Sequence, residues 1–98
     1  MSKVLLDSTI VRSPDQVSTD LGGEVVILSL QSPQYFGLGD VGARIWDIIR
    51  EPKTVKEILE TVLNDYDVEP ERCERDLLAV LQELADEGLV EIEHEATR

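Results

Sequence analysis

The pattern of apolar and polar positions changes character near residue 40. Before that point, short apolar runs rich in β-branched and aromatic residues are bounded by glycine, proline and serine, which is typical of strands. The clearest run covers residues 24–30 and follows a glycine pair. We expect strands at residues 9–12, 24–30 and 35–38, a short extended piece within residues 16–20, and an antiparallel hairpin joining the runs 24–30 and 35–38.

The run 24–30 is apolar at almost every position. A half-buried strand alternates apolar and polar residues, whereas a strand covered on both faces does not. The pattern therefore favours either burial on both faces or a central position in the sheet.

From Asp40 onward the apolar residues recur at helical spacing. Asp40 is a suitable N-cap for a first helix, which Pro52 ends because proline cannot continue a helix. Trp46 lies at the margin of the apolar stripe that Val41 and Ile45 begin.

Two further helices carry recognisable ends. Thr54 and Glu57 have the spacing of a capping box, which starts the second helix. Pro70 suits the first turn of a third helix that runs to about residue 87. Gly88 suits the left-handed position after that helix, with Leu89 packing back on Leu84, and residues 89–93 form a last short extended segment.

This order of elements predicts an α+β fold in a single domain covering residues 1–98. Strands come first and three helices follow, which resembles a winged helix-turn-helix arrangement with its hairpin moved to the front. We expect residues 1–8 and 94–98 to fray.

Composition narrows the partners and the compartment. The formal net charge is −12, and phosphate backbones repel such a surface, so we expect no nucleic-acid partner and favour a cationic or mostly apolar one. Cys73 is the only cysteine, which suits a reducing compartment. The apolar run near the N-terminus is too short for a signal peptide and no stretch is long enough to span a bilayer, so we expect a cytoplasmic protein without a membrane partner.

Histidine and cysteine occur once each, and helical spacing places several of the 21 acidic residues on solvated faces. His94 is the only histidine, and a solvated tail residue is its simplest interpretation. A lone cysteine cannot form a thiolate metal cluster. Gly37, Gly39 and Gly42 match the spacing of a dinucleotide-binding loop, but no βαβ unit surrounds them. We therefore expect no cofactor and no metal, and an enzyme is the least favoured function.

Three segments, taken in order, resemble the PqqD-like family, whose domains are known as RiPP recognition elements. They are residues 35–46, which end in Ile45-Trp46, the helix start at residues 54–59, and residues 77–90, which contain Gly88-Leu89. Gly39 stands where this family frequently has asparagine. The resemblance covers about the last three-quarters of the chain.

The resemblance implies three antiparallel strands followed by three helices and a role that is not enzymatic. Such a domain binds the leader segment of a ribosomally made precursor peptide and presents it to modifying enzymes. A short, free-standing domain is most similar to the lasso-peptide version, which works beside a separate leader peptidase and a cyclase. The version that serves a radical enzyme in pyrroloquinoline quinone maturation is the near alternative.

The resemblance also implies where the leader binds. It adds as a strand to the edge of residues 35–38 and packs against the third helix, where main-chain hydrogen bonds provide affinity and side-chain pockets provide selectivity. The candidate peptide-binding residues are Gln34, Tyr35, Phe36, Gly37, Leu38, Arg72, Cys73, Arg75, Asp76, Leu77 and Val80.

Simpler interpretations exist for the third helix. Leu77 and Val80 also suit plain core positions, and Arg75 has the spacing to pair with Glu71 on its own helix. A winged-helix transcription regulator is the alternative from another functional class, with Arg72 and Arg75 as its basic residues, although acidic neighbours surround them.

Overall fold

A computed structural model of the chain describes residues 3–32 and 34–93, so His94 lies outside the described residues. It contains six strands and three helices in a mixed α+β arrangement. The strands are β1 (Thr9–Arg12), β2 (Gln16–Asp20), β3 (Glu24–Ser29), β4 (Tyr35–Gly39), β5 (Lys53–Thr54) and β6 (Val90–Glu93), and the helices are α1 (Asp40–Ile48), α2 (Val55–Asp65) and α3 (Pro70–Asp86).

The described strands form two antiparallel sheets. One has the order β2-β3-β4, and its hairpin register pairs Ile27 with Phe36 and Val25 with Leu38. This confirms the α+β class and the three-stranded sheet that precedes the helices. The other sheet has the order β5-β1-β6 and joins the first strand to the last. The second sheet was not predicted, because its pairing partners lie far apart in the sequence.

Strand β3 is central in its sheet but is not buried on both faces. Val25 and Ile27 face the core with 6% and 0% exposure, whereas Leu28 on the opposite face is 45% exposed. Of the two interpretations of this apolar run, the central position is therefore the correct one, and burial on both faces is wrong. The outer apolar side chains lie on an uncovered face within the described part of the chain.

Helix α1 begins differently from the expectation. Gly39, not Asp40, is its N-cap, and no side chain caps the helix. Asp40 is the first helical residue and has a φ of 50°, in the left-handed region that aspartate tolerates better than most residues. The strand-to-helix junction is therefore a sharp backbone turn that leads directly from β4 into α1.

The predicted start of α2 is confirmed. The Glu57 amide donates to the Thr54 hydroxyl over 3.1 Å, and the Thr54 amide donates to the Glu57 carboxylate over 2.9 Å. These reciprocal bonds satisfy two amides that the first helical turn leaves unpaired.

The predicted end of α3 is also confirmed. Gly88 has a φ of 78°, and the Leu89 amide donates to the Leu84 carbonyl over 2.9 Å. The Gly88 amide donates to the Ala85 carbonyl over 3.0 Å, which completes a Schellman ending. This ending turns the chain back so that β6 can pair with β1.

The N-terminal segment, which we expected to fray, is anchored to the core at Val4 and Ser8 where the structure describes it. Val4 is 4% exposed, and its amide donates to the Gln82 side chain over 2.9 Å. The Ser8 carbonyl accepts from the Val55 amide over 3.0 Å. This segment therefore covers part of the core formed by α2 and α3.

Candidate peptide-binding site

Strand β4 stands at the end of its sheet in the described part of the chain, so one side of its backbone is open. The Ser29 amide donates to the Gln34 carbonyl over 3.1 Å, which identifies this pair as a hydrogen-bonded one. Because such pairs alternate along an antiparallel ladder, Phe36 and Leu38 also direct their main-chain groups toward β3. Tyr35 and Gly37 therefore direct their main-chain N–H and C=O groups to the open edge.

The side chains of β4 alternate in the complementary way. Phe36 and Leu38 are half-buried and pack against the core, whereas Tyr35 is 74% exposed on the outer face of the sheet. Tyr35 thus contributes its backbone to the open edge, and its ring points away from the interior.

A groove of about 470 Å³ lies beside α3. Its floor is apolar and includes Ile45, Val62 and Leu77, which are 2%, 3% and 3% exposed. Three parts of the chain build it: the first half of α1, the end of α2 with the connection that follows it, and one face of α3. The lining residues are Val41, Gly42, Ile45, Val62, Tyr66, Asp67, Val68, Glu69, Arg72, Cys73, Asp76, Leu77 and Val80.

The groove begins where β4 ends. Gly42 lines the groove, and a Cβ atom at that position would lie 3.4 Å from the Leu38 side chain. The Leu38 side chain therefore packs against the α1 wall of the groove, next to the open strand edge. A peptide that paired with β4 would be positioned to place side chains in the groove.

The structure brings most of the predicted third-helix residues to the groove. Cys73, Leu77 and Val80 contribute apolar surface, and Arg72 and Asp76 contribute charge. Arg75 is exposed and does not line the groove, and the predicted pairing of Arg75 with Glu71 is not seen among the described residues. Residues 34–38 also do not line it: Tyr35 and Gly37 offer main-chain groups, while the Gln34 carbonyl accepts from β3 and its amide donates to the Ser32 carbonyl.

Sequence reasoning missed the wall opposite α3. Val41, Gly42 and Ile45 form it from α1, and residues 66–69 extend it from the connection between α2 and α3. Val41 and Ile45 were recognised only as an amphipathic stripe. An apolar stripe carries no signal that part of it borders an open groove, because that depends on where α3 packs.

More acidic than basic side chains line the groove. Arg72 lies 4.0 Å from Asp76, one turn further along α3, and both side chains are largely exposed. Asp67 and Glu69 have no ion-pair partner within residues 3–32 and 34–93. Burial in the groove, and to a smaller degree the neighbouring Asp76 carboxylate, raises the pKa of the Cys73 thiol.

A second cavity of about 520 Å³ lies on the other side of α1 and is mainly polar. Arg44 there bonds to Asp65 over 2.8 Å, and Arg50 bonds to Asp47 over 2.7 Å. Arg44, Asp47 and Arg50 are thus paired within the chain and the lining is mainly polar, so the apolar groove is the better candidate for a ligand with apolar side chains. Among the described residues, no group of three or more His, Cys, Asp or Glu side chains is placed to hold a metal ion, and no helix is long and apolar enough to cross a membrane.

Comparison with known proteins identifies the family of the chain. The family described as coenzyme PQQ synthesis protein D (PqqD) matches residues 24–90, a span from the central strand β3 to the start of β6. The chain belongs to the PqqD family. The resemblance predicted from residues 35–46, 54–59 and 77–90 is therefore confirmed.

A solved structure similar to this PqqD-family chain was determined with a peptide bound. It is described as TbiB1 in complex with the TbiA(beta) leader peptide. The two chains are 39% identical with a TM-score of 0.78, and the match covers 89% of this chain and 99% of TbiB1. A comparison with curated protein sequences gives no significant match.

Proposed function

We propose that this chain is a non-catalytic adaptor that binds the leader segment of a ribosomally made precursor peptide. The observation that carries the proposal is an open strand edge that runs into an apolar groove. A disordered peptide gains main-chain hydrogen bonds on such an edge and buries side chains beside it. The leader peptide bound to TbiB1 supports the same class of ligand for this chain.

In the proposed complex the leader becomes a fourth strand beside β4. Tyr35 and Gly37 exchange hydrogen bonds with the leader backbone, each contributing roughly 0.5–1.5 kcal/mol per bond. Leader side chains on the inner face then reach past Leu38 toward Leu77 and Val80. The hydrogen bonds hold the leader in register, and the groove selects its side chains.

The finer assignment follows the sequence resemblance. We place the protein with the lasso-peptide version, in which it presents the leader to a separate leader peptidase and a cyclase in the cytoplasm. A half-buried, unpaired thiol at Cys73 suits that reducing compartment. The alternative partner, a radical enzyme of pyrroloquinoline quinone maturation, is supported by the family description. Precursor, peptidase and cyclase genes beside the gene of this chain would favour the lasso version.

The decisive experiment tests the outward amide of Gly37. Gly37→Pro removes that N–H and puts a ring at the open edge, while the hydrogen bonds to β3 remain because Gly37 does not make them. Gly37→Ala is the matched control, since a Cβ there meets no atom within 4 Å and the amide is retained. We expect Gly37→Pro to weaken binding of a fluorescent TbiA(beta) leader peptide at least about tenfold, and Gly37→Ala to change it less than about threefold.

A second control lies on the other edge of the sheet. Ser18 directs its amide outward from β2, as the ladder register shows. Ser18→Pro should leave leader affinity unchanged while circular dichroism reports a folded protein. Failure of the unmodified protein to bind the peptide or its own precursor leader at about 50 µM would refute the proposed function.

A further inference from the structure

The groove has an apolar floor and a mainly acidic border. Its charged lining residues are three acids, Asp67, Glu69 and Asp76, and one base, Arg72. Arg72 offsets one of these acids, and the remaining two have no ion-pair partner in the described part of the chain. A guest that fills the floor is therefore surrounded by a net charge of about −2.

The charges are concentrated at one end. Asp67, Glu69 and Arg72 lie around the start of α3, whereas Asp76 lies about 9 Å and Val80 about 15 Å along the helix from Pro70, at 1.5 Å per residue. The helix macrodipole adds about half a positive charge near Glu69, which is too small to make the net charge at this end of the groove positive. The groove thus has an acidic end and an apolar end.

The rest of the protein is also negatively charged, like the acidic end of the groove. The chain carries a formal net charge of −12, so a cationic peptide is attracted and an acidic one is repelled before contact. Asp67, Glu69 and Asp76 are exposed in the free protein, so their attraction for a cation strengthens only as the guest covers the apolar floor and excludes water.

We propose that the groove selects a leader in which a lysine or arginine flanks the apolar anchor residues. This inference rests on the proposed leader-binding function and adds the chemical class of the side chain that the leader must carry. The apolar anchor occupies the floor beside Leu77, and the cationic side chain lies beside Asp67 and Glu69, the two acids that Arg72 does not offset. Charge complementarity of this kind contributes more to the choice of partner than to affinity alone.

The test uses substituted versions of the TbiA(beta) leader peptide. Each position in turn is replaced by lysine, glutamine or glutamate, and binding is measured by fluorescence anisotropy at low and at high salt. At one position or two neighbouring positions, we expect the lysine version to bind about tenfold more tightly than the glutamate version. The preference should shrink in 1 M salt, where the screening length falls to about 3 Å.

A charge-neutralised variant identifies the source of the preference. Asp67→Asn, Glu69→Gln and Asp76→Asn together leave Arg72 as the charged lining residue, so the preference should vanish or reverse toward glutamate. Glu60→Gln, Glu83→Gln and Glu87→Gln form the matched control, because they change the net charge equally at exposed positions outside the groove. The control should keep the position-specific preference for lysine.

The outcomes separate the two proposals. Absence of binding by every peptide refutes leader binding itself and the inference with it. Leader binding without a lysine preference at any position overturns the inference and leaves the adaptor function standing. A preference that survives neutralisation of the three groove acids also overturns it.

Discussion

Several side chains of the groove floor also belong to the core. Leu77 and Val62 are each 3% exposed, so a charged substitution at either position would bury an unpaired charge and unfold the protein. Half-buried residues at the border, such as Cys73 and Val80, are better probes because they line the groove and are only partly buried against the core. Substitutions that test peptide binding should therefore avoid the residues of the groove floor.

Cys73 offers a direct report on groove occupancy. Its pKa is raised, chiefly by burial, so less thiolate is present at neutral pH and alkylation by iodoacetamide should be slower than in the unfolded chain. Bound TbiA(beta) leader should slow the reaction at least about fivefold further if it covers the groove. Mass spectrometry over time measures both effects, and an unchanged rate under saturating leader would place the peptide elsewhere.

Within single elements, local hydrogen bonds define where the helices begin and end. The capping box of α2 and the Schellman ending of α3 each depend on residues within a few positions of one another. The start of α1 lacks a side-chain cap, and its first helical residue, Asp40, has a left-handed φ. The capping box fixes how the chain passes from β5 into α2, and the Schellman ending fixes how it passes from α3 toward β6.

The capping box should make stability depend on pH. Hydrogen bonds from Thr54 hold the pKa of Glu57 below its usual value. A lowered carboxyl pKa contributes stability that is present above the unfolded-state pKa and is lost as the pH falls through the folded-state pKa. We expect the thermal midpoint to decrease between about pH 5 and about pH 3, and the decrease to be smaller in Glu57→Gln.

Thr54→Ala provides the companion measurement at neutral pH. It removes the hydroxyl acceptor of the capping box and should lower the free energy of unfolding by about 0.5–2 kcal/mol. Thr61→Ala is a suitable control, because its hydroxyl bonds within the helix to the Glu57 carbonyl and caps no end. Equal losses in the two variants would contradict the assigned role of Thr54.

Across the whole molecule, one core joins both sheets and all three helices. Ile10 of β1, Ile27 of β3 and Leu81 of α3 are each fully buried within it. Arg12 links the second sheet to α1, since its guanidinium donates to the Trp46 carbonyl and lies 4.4 Å from the centre of the Trp46 ring. The two sheets should therefore unfold together.

Arg12→Ala should lower the free energy of unfolding by about 1–3 kcal/mol, through loss of one hydrogen bond and the contact with the Trp46 ring. Trp46 is the only tryptophan, so urea unfolding followed by its fluorescence can be compared with circular dichroism. The two transitions should coincide if there is a single core. Arg50→Ala is the control: because the Arg50 side chain is largely exposed, it should lower the free energy of unfolding by less than about 0.5 kcal/mol. Separate fluorescence and circular-dichroism transitions would indicate two units that unfold independently.

Much of this architecture could be predicted from short-range patterns. The hairpin of β3 and β4, the capping box and the Schellman ending depend on residues close together in the chain, so residue types and spacing were sufficient to predict them. The third-helix residues Cys73, Asp76, Leu77 and Val80 were also among the candidate residues, and helical spacing places them on one face.

Long-range packing produced the features that the pattern did not reveal. The second sheet, the full burial of Trp46 beneath Arg12 and the wall that α1 gives the groove all join segments distant in sequence. Apolar periodicity shows which face of a helix avoids water, but not which neighbour covers it. The open edge of β4 could be anticipated from the chain, whereas the groove beside it exists because α1, α2 and α3 pack without closing over their shared apolar surface.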